Sequence, residues 1–155
     1  MPDRKTVSGN QIVATFNCSI VTPSESILDD EVTQVEFPQW DGQRGILAGA
    51  APFVAKLGAG RLSISYPEGG TRVFMLAGGF AEMHDNTLVI VADAVAARES
   101  LNLAEAEERL AAAVTSATEP GHTDLDERER LEMNRQKANV EVMLAREQAG
   151  KGVAV

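Results

Sequence analysis

The hydrophobic pattern changes period once, near Ala97, and that switch constrains the fold more than any single motif. From Gln11 to about Val95 the chain reads as strands. "IVATFNCSIV" and "EVTQVEF" alternate apolar with polar or small residues, as half-buried strands do. In "RLSISYP" Leu62, Ile64 and Tyr66 share one face, and Ser63 and Ser65 the other. "EGG" at Glu68–Gly70 supplies a hairpin turn and "TRVFMLAGG" returns from it. "HDN" at His84–Asn86 turns again into "TLVIVAD". Short strands with turn signals about every 8–12 residues indicate a sandwich or barrel.

Past that point the period is helical. Asn102 precedes "LAEAEERLAAAVTSAT" with Glu105 three residues on, the pattern of an N-cap and capping box. Leu103, Ala106, Leu110 and Ala113 recur at helical spacing. Pro120 and Gly121 in "EPGHT" end this helix. Asp124 and Glu127 then open a second, "LDERERLEMNRQKANVEVMLAREQA". There Leu131, Ala138, Val142 and Ala145 form one stripe, and Met133, Val140 and Leu144 a neighbouring one. The short connection makes the pair an antiparallel hairpin. The expected organisation is a flexible tail over residues 1–10, a β-sandwich over 11–97, a helical hairpin over 98–149 and a flexible tail over 150–155. Two helices have little core of their own, so their stripes must be buried on the β domain or on a partner.

The chemistry of the chain argues for binding and against catalysis. Its 23 acidic and 14 basic residues give a net charge of −9, which disfavours nucleic acid or an anionic membrane surface as partner. No 18-residue apolar stretch suggests a membrane span, and "MPDRKTVSGN" lacks the apolar segment of a signal peptide. A soluble, cytoplasmic protein is expected. The single Cys18 lies in an alternating run, where a buried, inert thiol is the natural reading. His84 and His122 have no second His or Cys at ligand spacing, so no metal site is expected. Ser24 and Ser26 lack the surroundings of a nucleophile elbow. The consecutive acids Asp29, Asp30 and Glu31 read as a solvated turn before a strand. Arg128, Arg130, Arg135 and Lys137 are interleaved with acids, the mark of a solvated helix face.

"DGQRGILAGAAPFVAKLGAG", Asp41 to Gly60, holds five glycines but matches neither phosphate-loop pattern, and the following "PFVAKL" reads as a strand. Turns in an antiparallel sheet fit better. The glycine pair in "AGGFAEM", Ala77–Met83, marks a bulge or a close backbone approach inside a strand.

The order of these motifs resembles the epsilon subunit of bacterial F-type rotary ATP synthases, over about Phe16 to Gln148. The most specific part is the family's "DGxxGILPxHAPxxxxLxxG" pattern, matched by Asp41, Gly42, Gly45, Ile46, Leu47, Ala51, Pro52, Leu57 and Gly60. "GGF" at Gly78–Phe80 is a second match. The resemblance implies a β-sandwich of about ten strands followed by an antiparallel two-helix hairpin. It implies a non-catalytic central-stalk subunit that needs no cofactor, binds the gamma subunit and rests on the c-ring at the cytoplasmic face of the membrane. Such a subunit couples proton-driven rotation to ATP synthesis. In many relatives the hairpin reaches the alpha and beta subunits and inhibits ATP hydrolysis, a role that would fall here to Arg128, Arg130, Arg135 and Lys137. The c-ring and gamma surface implied is Asp41, Gln43, Arg44, Ala50, Gly78 and Gly79. Departures are clear: Ala48 and Ala50 replace the family's Pro and His, and Gln43 stands where an acid is common. Some relatives bind regulatory ATP through "[IL]DxxRA". Here "LNLAEA" puts Asn102 for Asp and Glu105 for Arg, so tight ATP binding is not expected. The alternatives are a free-standing β-sandwich binding module whose hairpin dimerises, and a small hydrolase using Ser24 or His84.

Overall fold

The computed structural model describes residues 4–8, 11–119, 121 and 124–153. The strands are β1 (Arg4–Ser8), β2 (Gln11–Val21), β3 (Ser26–Val32), β4 (Gln34–Gln39), β5 (Gly42–Leu47), β6 (Phe53–Lys56), β7 (Ala59–Ser65), β8 (Thr71–His84) and β9 (Thr87–Ala97). A 3₁₀ turn (Arg98–Ser100) leads into α1 (Leu103–Thr118) and α2 (Leu125–Val153). The strand order is β1-β2-β9-β8-β7-β4-β5, with β3 beside β2 and β6 beside β8. Nine strands are present among the described residues, against about ten expected, because the 14 residues of β8 run on as one strand where two layers meet.

β8 and β9 serve both layers of the sandwich. The first half of β8 pairs with β7 from Ala59↔Ala77 to Ser65↔Thr71, and its second half pairs with β6 from Lys56↔Phe80 to Phe53↔Met83. β9 follows β8 throughout, from Phe74↔Ala97 to His84↔Thr87, and its first half also pairs with β2 in parallel. The turn between them places Asp85 at φ 49 and Asn86 at φ 58, the mirror-image turn that matches strand twist. Alternate residues from both layers fill one core, with Phe16, Phe37, Phe74, Leu62, Leu76 and Ile90 at its centre.

The hairpin covers one outer face of this sandwich. Val73, Met75 and Ala77 point away from the core and are buried under Leu144, with Met133 and Val140 beside it. The other stripe of α2 meets α1, where Ala106 packs with Val142 and Ala145. α2 is thus held between the sheet and α1, which explains why it carries two stripes. The Asn102 side chain caps α1 by accepting from the Glu105 N–H at 3.1 Å, and Asp124 caps α2 by accepting from the Asp126 N–H at 3.1 Å.

Three expectations are corrected. Arg4–Ser8 is a strand paired with β2, and not a free tail, because Gln11–Thr15 offers its edge as a template. α2 continues through Gly150 to Val153, past the expected end at residue 149, since no proline intervenes. Asp29, Asp30 and Glu31 lie inside edge strand β3, where Asp29 accepts from Asn17 Nδ2 at 3.0 Å and Asp30 from the Tyr66 hydroxyl at 2.8 Å. Pro120 and His122 lie outside the described residues.

Burial governs the behaviour of two protonated groups, Cys18 in the core and Tyr66 at its margin. Burial, with Asp30 and Asp29 adding to it, pushes the Cys18 thiol from 9.0 up to about 12. Burial and then the hydrogen bond to Asp30 push the Tyr66 phenol from 10.0 up to about 12. Both protons stay on the folded chain where the unfolded chain sheds them. Stability should therefore hold steady below pH 9 with respect to these groups and fall from pH 9 to pH 12. Urea midpoints across that range should fall with pH, and less steeply in Cys18→Ala; a flat or rising midpoint would contradict the assignment.

Candidate docking surface

The outer face opposite the hairpin is open. Strand pairing lines up its side chains in rows across β2, β9, β8 and β6: Val21, Val91, Phe80 and Lys56 in one, then Ser19, Val89, Glu82 and Val54 in the next. Val54 is 71% exposed, Phe80 56% and Val91 47%. Acids flank this apolar centre, with Asp29 beside Ser19 and Glu31 beside Asn17 on β3. Large apolar side chains on adjacent strands, held at cross-strand spacing by a rigid sheet, are what a protein interface buries at its centre.

The sequence carried a signal for this face that alternation alone obscured. "TLVIVAD" is apolar in both phases, with Leu88, Ile90 and Ala92 in the core and Val89 and Val91 outward. "RVFML" is likewise apolar in both phases, and its outward residues are the ones α2 covers. A strand apolar on both sides calls for a cover on both. The fold supplies one of the two covers.

The expected surface of Asp41, Gln43, Arg44, Ala50, Gly78 and Gly79 is not one surface. Asp41 lies in the β4–β5 turn and Ala50 beyond the far end of β5, a strand about 17 Å long. Asp41 and Gln43 are exposed, and Gln43 Nε2 donates to the Arg61 carbonyl at 3.3 Å. Arg44 is not a free charge. Its guanidinium lies 3.8 Å from the centroid of Phe53, whose ring in turn stacks on Phe37 at 6.2 Å. This stack seals the side of the sandwich between β5 and β6. The loop holding Ala50 is pinned by Asn86, which accepts from the Gly49 N–H at 2.9 Å and donates to the Thr15 carbonyl at 2.9 Å. Leu47, before that loop, is 61% exposed.

Gly78 and Gly79 are buried, which corrects their placement on a contact surface. They bend β8 at φ 75 and φ 116 where it passes from one layer to the other. The close approach there comes from this chain's own β9: a Cβ on Gly79 would lie 2.0 Å from the Val91 carbonyl oxygen. On α2, Arg135 pairs with Glu132, holding that carboxyl below its usual range, and Lys137 Nζ lies 3.8 Å from Glu141. Arg128 and Arg130 are exposed. Among the described residues no group of three or more metal-ligating side chains occurs, and no helix is long and apolar enough to cross a membrane.

Comparison with known proteins places this architecture. The family model "ATP synthase, Delta/Epsilon chain, beta-sandwich domain" matches residues 15–98. The ATP synthase epsilon chain of Nitrobacter winogradskyi is 34% identical over 115 residues, 74% of this chain and 84% of that one. The chain belongs to the ATP synthase delta/epsilon family. A second epsilon chain, from Desulforudis audaxviator, is 40% identical over 94 residues, covering 61% of this chain and 68% of its own length. A chain in the Euglena gracilis mitochondrial ATP synthase OSCP/F1/c-ring structure shares the fold with a TM-score of 0.69 at 22% identity, covering 96% of this chain and 89% of that chain. The family model stops where the 3₁₀ turn begins, so the match lies on the β domain that carries the open face.

Within the family fold, Gly79 is the position with the least freedom. Gly79→Ala should cost at least about 3 kcal/mol in urea denaturation, because β8 or β9 must move. Gly70→Ala, at φ 88 in open space, should cost only about 1–2 kcal/mol. Equal losses at the two sites would contradict the close approach.

Proposed function

We propose that this chain is the epsilon subunit of an F-type ATP synthase central stalk, bound to the gamma subunit through the open face around Val54, Phe80 and Val91. It carries no chemistry of its own and acts as a rigid coupling piece between gamma and the c-ring. The observation that carries this reading is the exposed apolar centre on β6, β8 and β9, on strands whose opposite sides form the core. A sheet face fixed by the core beneath it presents no loose segments, which suits a part that must transmit torque. The epsilon chains it resembles and the ATP synthase assembly in which its structural neighbour sits support a partner within such an assembly, and gamma is the partner proposed.

The c-ring contact falls to the loop end of the β5 edge, where Leu47 is exposed and the Asn86-pinned loop holds Ala50, away from Asp41 and Gln43 at the other end. The subunit then sits at the cytoplasmic face of the membrane with no segment inserted. The hairpin lies on the opposite side of the sandwich from the gamma face, so it can leave the sheet while the β domain stays bound. Arg128 and Arg130, exposed on the first half of α2, are the residues it would bring to the alpha and beta subunits.

Phe80→Asp places a charge at the centre of the open face without touching the core. Tagged Phe80→Asp should recover gamma at less than about one hundredth of the wild-type yield while melting at the wild-type temperature. Trp40→Ala, which removes an exposed aromatic elsewhere, should recover gamma in full. Wild-type recovery by Phe80→Asp would overturn the proposal.

A further inference from the structure

Two carboxylates of α2 that no sequence pattern singled out hold the hairpin together and to the rest of the fold. Glu147 is gripped by Arg61 of β7 through one oxygen and by Arg98 through the other, the latter at 3.2 Å. Arg98 belongs to the 3₁₀ turn that joins sheet to hairpin, and it is only 8% exposed. Its Nε is buried with no hydrogen-bond partner. Glu141, 4% exposed, accepts from Arg109 Nε of α1 at 2.7 Å, with Lys137 at 3.8 Å on its other oxygen. Beneath it lies a cleft of about 700 Å³ between the β2–β3 turn, β9 and the two helices. Its ionisable lining is Glu25, Asp93, Glu105 and Glu141 against Arg109 and Lys137.

We propose that α2 is held by two carboxylate latches, Glu147 to Arg61 and Arg98 beside the sheet and Glu141 to Arg109 of α1, so that the docked hairpin depends on these ion pairs and on no small-molecule ligand. Glu147 ties α2 to the sheet and to the joining turn, and Glu141 ties α2 to α1. The apolar contact of Leu144, Met133 and Val140 with the sheet has no directionality of its own, and the charge-assisted bonds supply it. The latch is also releasable. When α2 leaves, water reaches Arg98 and satisfies the Nε donor that has no partner in the docked state. The cleft does not fit a nucleotide, because both cations that could meet a triphosphate are already held by Glu141 and Glu105 adds a further negative charge.

Arg98 supplies the readout, since trypsin can reach a residue this buried only after release. In the isolated full-length protein, Glu147→Gln should speed cleavage after Arg98 by about tenfold or more. Arg61→Gln, which keeps the Arg98 contact, should give a smaller rise and serves if Glu147→Gln does not fold. Glu141→Gln should speed cleavage after Arg109. Glu107→Gln, which removes only the exposed pair with Arg146, should change neither rate. Millimolar magnesium-ATP should leave the wild-type rate unchanged. Unchanged cleavage after Arg98 in Glu147→Gln and Arg61→Gln would overturn the latch, and protection by magnesium-ATP would overturn its independence of ligand. Gamma is absent from the assay, so its outcome is separate from the assignment of the gamma face.

Discussion

The close approach of β8 and β9 at Gly79 is the contact on which the other features rest. It lets two long strands turn together from one layer into the other, so that a single pair belongs to both sheets. A Cβ at this point would separate the strands, and with them the register that sends Phe74, Leu76, Ala81 and Met83 into the core. The same register fixes which residues point outward. Val73 and Met75 face one side before the bend, and Phe80 faces the other after it. The two outer faces are therefore consequences of one geometric condition.

These faces differ in what covers them. α2 lies over the first with an apolar stripe and the Glu147 ion pairs, and its second stripe is closed by α1 with the Glu141–Arg109 pair. The second is left uncovered, with Val54, Phe80 and Val91 exposed around Glu82 and with Asp29 and Glu31 on the neighbouring strand β3. A permanent partner suits the open face, because a rigid apolar sheet surface gains by lasting burial. A reversible contact suits the hairpin face, where partly exposed ion pairs add directionality at modest net stabilisation. The proposed division of labour follows from this surface chemistry, with the sandwich as the lasting attachment and the hairpin as the releasable one.

Much of this was legible in the sequence. The change of period near Ala97 separated the domains, "HDN" and "EGG" marked their hairpins, and the two stripes of α2 foretold two neighbours. Cys18 read as buried and inert, in keeping with a thiol held protonated in the core. The proposed contact surface was less legible. Motif matching pointed to Gly78 and Gly79, whose role is internal, and passed over Val54, Phe80 and Val91, which lie far apart in sequence and meet only through strand pairing. Arg44 read as a surface charge because its place over Phe53 depends on β5 and β6 meeting across the sandwich. The edge strand β1 was hidden because its residues, "RKTVS", hold a single apolar side chain and show no alternation.

The central claim is that the sandwich has one face covered by its own hairpin and one reserved for gamma. Hydroxyl-radical footprinting of the free chain and of its complex with gamma measures this side chain by side chain. The account predicts that Phe80 is labelled readily in the free chain and protected in the complex, while Met75, 2% exposed beneath α2, is protected in both. Equal labelling of Phe80 in the two states, or ready labelling of Met75 in the free chain, would contradict it.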